Sequence, residues 1–163
     1  MQKQNERTRK NAYGARTPKD SFEEKIIEIK RVAKKTKGGN KIAFSVLAVV
    51  GNKEGSIGIS LGKAGDTASA IAKATSGARR KMFTVPVRQG TIPHEVWAKY
   101  SACQVFIKPA PDGAGIIAGG AVRKVLEVAG IKNVSSKMLG SNNKLNNVYA
   151  VIKALKSLKS QRV

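Results

Sequence analysis

The first half of the chain carries three short runs of hydrophobic residues whose spacing is typical of β-strands. Residues 26–37 alternate apolar and polar side chains, which predicts a strand with one face in solvent. Residues 42–50 are almost wholly apolar and predict a buried strand, and residues 56–61 predict a third. Gly38-Gly39-Asn40 and residues 51–55 are typical of turns, so we expect the three strands to run antiparallel.

The spacing then changes from that of a strand to that of a helix, at residues 67–82. Asp66 or Thr67 is suited to cap the first turn of this helix. The residues expected on its inner face are Ile71, Thr75, Ala78 and Met82. Residues 21–86 are therefore expected to form an α+β domain, with a three-stranded antiparallel sheet and one helix.

A second domain is predicted at residues 87–163, and its first residues, up to Pro93, are expected to be a linker. Its predicted elements are strands at 94–99 and 103–108, a Pro- and Gly-rich loop at 109–115, a helix at 119–129, a strand at 131–138 and a helix at 143–159. Residues 1–20 lack apolar periodicity and are expected to be a flexible basic arm.

The net charge of the chain predicts a polyanionic partner. The chain has 31 Lys and Arg against 10 Asp and Glu, a net charge of +21 over 163 residues. Residues 1–20 contribute +4, residues 21–86 contribute +8 and residues 87–163 contribute +9, so the charge is spread over the whole chain. A phosphate backbone relieves the self-repulsion of such a chain. Aromatic residues make up only 5%, which favours contacts to duplex backbone over base stacking.

Several classes of protein are disfavoured by the same composition. One cysteine, Cys103, allows no intramolecular disulfide. No apolar run reaches the ~18 residues of a membrane span, and Met1 to Lys10 has no apolar signal-peptide core. We therefore expect a soluble, cytoplasmic protein. His94 is the only histidine and the ten carboxylates are scattered, so no catalytic residues, metal site or cofactor are expected.

Two glycine-rich segments resemble nucleotide-binding loops only superficially. Residues 58–63 run from a strand towards a helix, but a P-loop needs Gly and Ser or Thr where this chain has Ile57 and Ala64. Residues 113–118 fit the dinucleotide pattern, but Pro109 interrupts the approach and no acid follows at the required distance to hold a ribose. Neither segment is expected to bind a nucleotide cofactor.

The strongest candidate RNA contact is the tip of the first hairpin, residues 34–41, which carries four lysines around two glycines. Lysines neutralise phosphates, and glycines let the backbone approach them closely. A solvated turn is the alternative here, helix capping is the alternative for residues 141–143, and a structural role is the alternative for His94. The candidate RNA-binding residues are Arg31, Lys34, Lys35, Lys37, Gly38, Gly39, Asn40, Lys41, Lys63, Arg79, Arg80, His94, Ser141, Asn142 and Asn143.

Several short motifs in a fixed order carry a family resemblance that no single motif would. They are KGG in the hairpin, VVG, Ser60-Leu61-Gly62-Lys63-Ala64, GTIPHEV, IKPA, GIIAGGAVR, VLEVAGIKNV and LGSNN. From about Phe22 to Leu158 this order resembles the bacterial-type family of small-subunit ribosomal protein five.

The resemblance implies a first domain similar to a double-stranded-RNA-binding fold, and a second, two-layer α/β domain with a left-handed βαβ crossover. It implies a non-enzymatic constituent of the small ribosomal subunit that binds ribosomal RNA and supports assembly, translational accuracy and the channel by which mRNA enters. The implied neighbours are ribosomal proteins four and eight. The residues implied at a protein interface are Pro109, Ala110, Pro111, Asp112 and Gly113.

Three other functions compete with a ribosomal one. A free-standing regulator that binds duplex RNA would share the first domain but would not need a second domain with the basic ridge Lys153, Lys156 and Lys159. An enzyme built on the second domain is opposed by the two failed glycine motifs. A membrane-surface protein is opposed by basic residues that lie on strands and turns without defining one strongly amphipathic helix.

Overall fold

The computed structural model describes residues 22–159, and the first sheet within them has four strands. The strands are β1 (Glu23–Thr36), β2 (Gly39–Gly51), β3 (Ser56–Ala64) and β4 (Phe83–Thr84), in the order β1-β2-β3-β4 and all antiparallel. The prediction of three antiparallel strands is confirmed, and the two-residue β4 is added to them. β4 forms because the chain returns from the first helix beside the start of β3, where Ile57 pairs with Phe83.

Helix α1 (Thr67–Arg80) covers one face of this sheet. Its N-cap is Asp66, whose Oδ2 accepts a hydrogen bond from the backbone N–H of Ser69 at 2.8 Å. The fully buried side chains of the helix are Ala70, Ala74 and Ala78. The predicted inner face was therefore correct at Ala78 but one residue out at Ile71 and Thr75, which are half-buried. The alanine row lies innermost because small side chains let the helix approach the sheet closely.

The second sheet is mixed. Its strands are β5 (Val96–Tyr100), β6 (Cys103–Pro109), β7 (Ile116–Ile117) and β8 (Val134–Gly140), in the order β5-β6-β8-β7. Only β7 and β8 are parallel, and helix α2 (Gly120–Ala129) connects them as a βαβ crossover. β7 was not predicted, because a strand of two residues is too short to show an alternation of apolar and polar side chains. β8 begins three residues later than predicted, since the backbone N–H groups of Lys132 and Asn133 donate to Gly90 instead of to a strand.

The last helix, α3 (Lys144–Ser157), packs on β5 and β6 beside α2. Asn143 caps it through a hydrogen bond from the N–H of Leu145 to Oδ1 at 3.1 Å. Gly130 ends α2 in the left-handed conformation, with φ of 84°, as its position after the last periodic residue predicts. No helix in the described part of the chain combines the length and the apolar character needed to cross a membrane.

One hydrophobic core joins the two sheets. Helix α2 packs against the face of the first sheet that α1 leaves uncovered, so that Leu47 and Val49 belong to the same cluster as Val122 and Val125. The turn after β2 is bonded to the end of α2, where the N–H of Gly55 donates to the carbonyl of Ala129 at 2.9 Å. The predicted division at residues 86 and 87 thus separates two sheets that share their packing. The predicted arm at residues 1–20 lies outside the described residues.

Candidate nucleic-acid interface

The β1–β2 hairpin extends beyond the core and carries the predicted lysine cluster. All side chains from residue 29 to residue 42 are exposed. The turn is Lys37-Gly38, because Thr36 pairs with Gly39 across it, so the prediction of a turn at Gly38-Gly39-Asn40 was one residue late. The strands close tightly there: Gly39 has φ of 132°, and the Thr36 hydroxyl donates to the Gly39 carbonyl at 2.8 Å.

Strand register distributes the basic residues over both faces of the hairpin. Lys34 lies directly opposite Lys41, and Lys35 lies opposite Asn40 on the other face. Nearer the core, Ser45 pairs with Lys30 on one side and with Lys63 on the other, so these two lysines flank it on the face that carries Lys34. Like charges directly opposite each other destabilise a strand pair. The hairpin is thus built to receive negative charge from outside.

Within residues 22–159, no carboxylate comes within ion-pair distance of the four lysines at the tip, which are Lys34, Lys35, Lys37 and Lys41. At the base of the hairpin the situation differs. Glu28 accepts ion pairs from Lys30 at 3.1 Å and from Lys144 at 3.3 Å. Burial tends to raise the pKa of Glu28, but the two ammonium groups outweigh burial and lower it. Positive charge is therefore neutralised at the base and left uncompensated at the tip.

The two predicted arginines at the end of α1 differ in their surroundings. Arg79 donates from Nη2 to Glu24 at 2.7 Å and lies over the ring of Phe22, 5.8 Å from its centroid. These contacts attach the end of α1 to β1. Arg80 is exposed, and no carboxylate of the described residues pairs with it. Of the two, Arg80 is the one whose guanidinium is free to meet a phosphate.

His94 is engaged within the chain at both ring nitrogens. Its Nε2 accepts a hydrogen bond from the backbone N–H of Lys159 at 3.2 Å, and its Nδ1 lies 2.9 Å from the carbonyl of Glu95. Both contacts fit the ring tautomer that carries its hydrogen on Nδ1. His94 thus joins the segment before β5 to the residues after α3, and these contacts support the structural alternative for this residue.

The amide-rich segment at residues 141–143 lies beside the base of the hairpin, because Lys144 pairs with Glu28 of β1. Two of its predicted RNA contacts are used within the chain. Asn143 caps α3, and the hydroxyl of Ser141 accepts from the N–H of Asn143 at 3.2 Å. Asn142 is exposed and makes no side-chain hydrogen bond in the described residues. Asn142 and the lysines of the hairpin therefore face solvent on neighbouring parts of the molecule.

The loop predicted at a protein interface, residues 109–115, is hydrogen-bonded to the side chain of Asn133. This side chain accepts from the N–H of Gly115 at 3.1 Å and donates from Nδ2 to Asp112 Oδ1 at 3.1 Å. Asn133 itself is 9% exposed, whereas Pro111, Asp112 and Gly113 are exposed. A buried amide thus presents an ordered, protruding loop with one carboxylate.

A surface that sequence reasoning missed is the open face of the second sheet. Trp97 and Phe106 pair across β5 and β6 with ring centroids 4.4 Å apart, and Trp97 is 60% exposed. Ile117 and Leu139 are also exposed on this face. The alternation of buried Val105 with Phe106 was a signal for it, but the pairing of Trp97 with Phe106 needed the strand register. Exposed apolar side chains in one patch are typical of a macromolecular contact.

In residues 22–159 no three His, Cys, Asp or Glu side chains gather closely enough to hold a metal ion. The described residues thus define a class, a basic protein with two sheets. Its β1–β2 hairpin presents lysines that no carboxylate of residues 22–159 pairs with, and its second sheet is open on one face.

Comparison with known proteins gives this class a family. The N-terminal domain of ribosomal protein S5 matches residues 22–86, and the C-terminal domain of ribosomal protein S5 matches residues 98–162. The small ribosomal subunit protein uS5 of Thermotoga maritima is 52% identical over 143 residues, which are 88% of this chain and 80% of that protein. The uS5 proteins of Thermosipho africanus and Bacteroides thetaiotaomicron are each 48% identical, over 91% and 87% of this chain and 85% and 83% of theirs. The chain belongs to the ribosomal protein S5 family, which is a family of structural, non-enzymatic proteins.

Proposed function

We propose that this protein is a structural constituent of the small ribosomal subunit in the cytoplasm and binds small-subunit ribosomal RNA through the β1–β2 hairpin. The observation that carries this proposal is the uncompensated charge of Lys34, Lys35, Lys37 and Lys41 at the exposed tip. A narrow two-stranded projection with four ammonium groups fits the groove of an RNA duplex, whose phosphates replace the missing carboxylates. On the face that carries Lys34, Lys63 extends this contact towards the core. Arg31, Arg80 and Asn142 are proposed as further, separate RNA contacts.

The protein partners in this proposal are ribosomal proteins four and eight. The exposed loop at residues 109–115 supports a protein contact, since Asn133 holds it in one conformation and binding then costs little ordering. The same proposal places the protein beside the channel by which mRNA enters, with effects on subunit assembly and on translational accuracy.

The test replaces Lys34, Lys35, Lys37 and Lys41 together by Gln and measures binding to purified small-subunit ribosomal RNA across a range of salt concentrations. If each lysine neutralises one phosphate, the slope of log K against log salt falls by about 0.9 for every phosphate that the variant leaves without its lysine. We expect a weaker affinity, a smaller slope and an unchanged thermal midpoint, because the tip lies outside the core.

A charge-matched control changes to Gln four exposed basic residues that lie away from the hairpin and from the open face of the second sheet: Lys73, Lys81, Arg88 and Lys132. This control removes the same charge from another surface. The proposal fails if the two variants reduce affinity and slope equally, since the tip would then act only through net charge. It also fails if the wild-type protein shows no dependence on salt.

A further inference from the structure

A groove opens between β1 and the beginnings of α2 and α3, on the side of the second domain that carries its helices. Its volume is about 370 Å³. The lining residues are Ile27, Gly120, Ala121, Lys124, Met138, Asn142, Lys144 and Asn147. No carboxylate of the described residues lines the groove, and two ammonium groups do, of which that of Lys144 is already paired with Glu28 at 3.3 Å.

The most informative group in the groove is the side chain of Asn147. It is 1% exposed, and its Nδ2 donates to the carbonyl of Ser141 at 2.9 Å. Its Oδ1 is buried and accepts no hydrogen bond from the described residues. A buried acceptor without a hydrogen-bond donor carries an uncompensated desolvation cost. The groove therefore favours a ligand that donates an O–H or N–H to this oxygen.

The second informative feature is the N-terminus of α2, which lies at the groove through Gly120 and Ala121. The N-cap is Gly119, so no side chain accepts a hydrogen bond from the first turn, and this turn contains no acidic residue. Free N–H groups at the positive end of a helix bind anions. Lys124 lines the same groove, and its Nζ is held there by one hydrogen bond, to the carbonyl of Ile26 at 2.9 Å.

We propose that this groove holds a ribose-phosphate unit of an RNA strand. The phosphate lies at the first turn of α2 beside Lys124, and the ribose 2′-hydroxyl donates to Oδ1 of Asn147. The ligand must be both anionic and a hydrogen-bond donor, and a ribonucleotide carries both groups close together, whereas DNA lacks the hydroxyl. The inference rests on the proposed RNA-binding function and adds to the hairpin a contact that distinguishes RNA from DNA.

The decisive variant is Gly120→Asp. A Cβ at Gly120 meets no atom within 4 Å, and a carboxylate in the first turn of a helix stabilises it. The variant therefore keeps or raises the thermal midpoint while it occupies the anion site. Because the charge-assisted hydrogen bonds to phosphate can no longer form, we expect binding to small-subunit ribosomal RNA to weaken by about tenfold or more.

The matched control is Thr84→Glu, which adds the same charge to β4, at the edge of the first sheet opposite β1, where Thr84 is exposed. One screened surface charge should change the affinity for the RNA by less than about twofold. Equal affinity of Gly120→Asp and wild type would overturn the groove site.

The hydroxyl contact has its own measurement, which follows the side-chain amide of Asn147 by NMR in the full chain. An oligouridine should shift this signal, and the oligodeoxyuridine of the same length should leave it in place. Equal shifts with both would overturn the assignment of Asn147. Saturation by free uridine monophosphate at the same nucleotide concentration would assign the groove to a free nucleotide and overturn the RNA-strand assignment.

The two proposals fail separately. If the hairpin variant loses RNA binding and Gly120→Asp does not, the hairpin contact stands and the groove site is wrong. If Gly120→Asp loses binding and the hairpin variant does not, the groove stands and the tip is not a contact.

Discussion

At the scale of single residues, the close approach of α1 to the first sheet depends on two glycines of β3. A Cβ at Gly58 would collide with the carbonyl oxygen of Ala78, and one at Gly62 would collide with that of Ala70. The backbone of the helix fills the space that side chains occupy elsewhere. The two glycines of the segment that resembles a P-loop therefore have a packing role. Packing explains why they precede a helix, and no bound nucleotide is needed to explain it.

Gly58→Ala should destabilise the protein by about 1–3 kcal/mol, the usual cost of overpacking a core. The collision is with backbone, which cannot rotate away as a flexible side chain does. Chemical denaturation measures the change, and Gly65→Ala is the matched control, since a Cβ at Gly65 meets nothing within 4 Å. Equal stabilities of the two variants would contradict the packing role.

At the scale of elements, the sequence predicted the strands and helices that have a local pattern of apolar residues, and it missed the short strands that depend on pairing with another strand. Alternation predicted β1, a nearly continuous apolar run predicted β2, and helical spacing predicted α1, α2 and α3. Strands were also predicted near β3, β5, β6 and β8. Of the two candidate caps of α1, Asp66 is the one used, and Gly130 ends α2. The short strands β4 and β7 exist only because a partner strand lies beside them. The same limit applies to the interface: a lysine cluster is visible in sequence, whereas the ion pair of Arg79 with Glu24 joins residues 55 positions apart.

Among residues that join distant parts of the chain, Asn133 is the one whose removal should be easiest to detect. It joins the start of β8 to the loop at residues 109–115 through both atoms of its side-chain amide. Asn133→Ala leaves the N–H of Gly115 without its acceptor, which should cost about 1–3 kcal/mol. We expect faster amide hydrogen exchange at Ala114 and Gly115, with exchange in α1 unchanged. Asn142→Ala, at an exposed amide, is the control; similar exchange in both variants would show that Asn133 does not hold the loop.

At the scale of the whole molecule, a net charge of +21 is tolerated because the few carboxylates stand where they join elements. Glu127 of α2 accepts from Lys25 of β1 at 2.7 Å and from Arg123 at 2.9 Å. Glu23 pairs with Lys53 at 3.0 Å, and Glu28 connects the hairpin to α3. These acids neutralise positive charge where elements of the shared core meet, so that much of the remaining positive charge lies on exposed surfaces.

This distribution predicts how stability depends on pH. Hydrogen bonds from Lys53 to Glu23 and from Lys25 to Glu127 lower the pKa values of both acids below the ordinary 4.5, and the pKa of Glu28 is also lowered. A carboxyl whose pKa is lower in the folded state stabilises the fold above its unfolded pKa, and this contribution disappears as pH falls through the lowered value. The free energy of unfolding should therefore decrease as pH falls below 4.5.

Glu127→Gln should lower the free energy of unfolding by roughly 0.5–1 kcal/mol at neutral pH, because the variant lacks the surface ion pairs to Lys25 and Arg123. It should also show a smaller loss of stability as the pH falls, because it has no carboxylate here to protonate. Glu95→Gln, at an exposed acid that forms no ion pair within residues 22–159, should follow the wild-type curve. Denaturation at several pH values measures all three proteins. Parallel curves for Glu127→Gln and wild type would show that the link between β1 and α2 does not depend on this carboxylate.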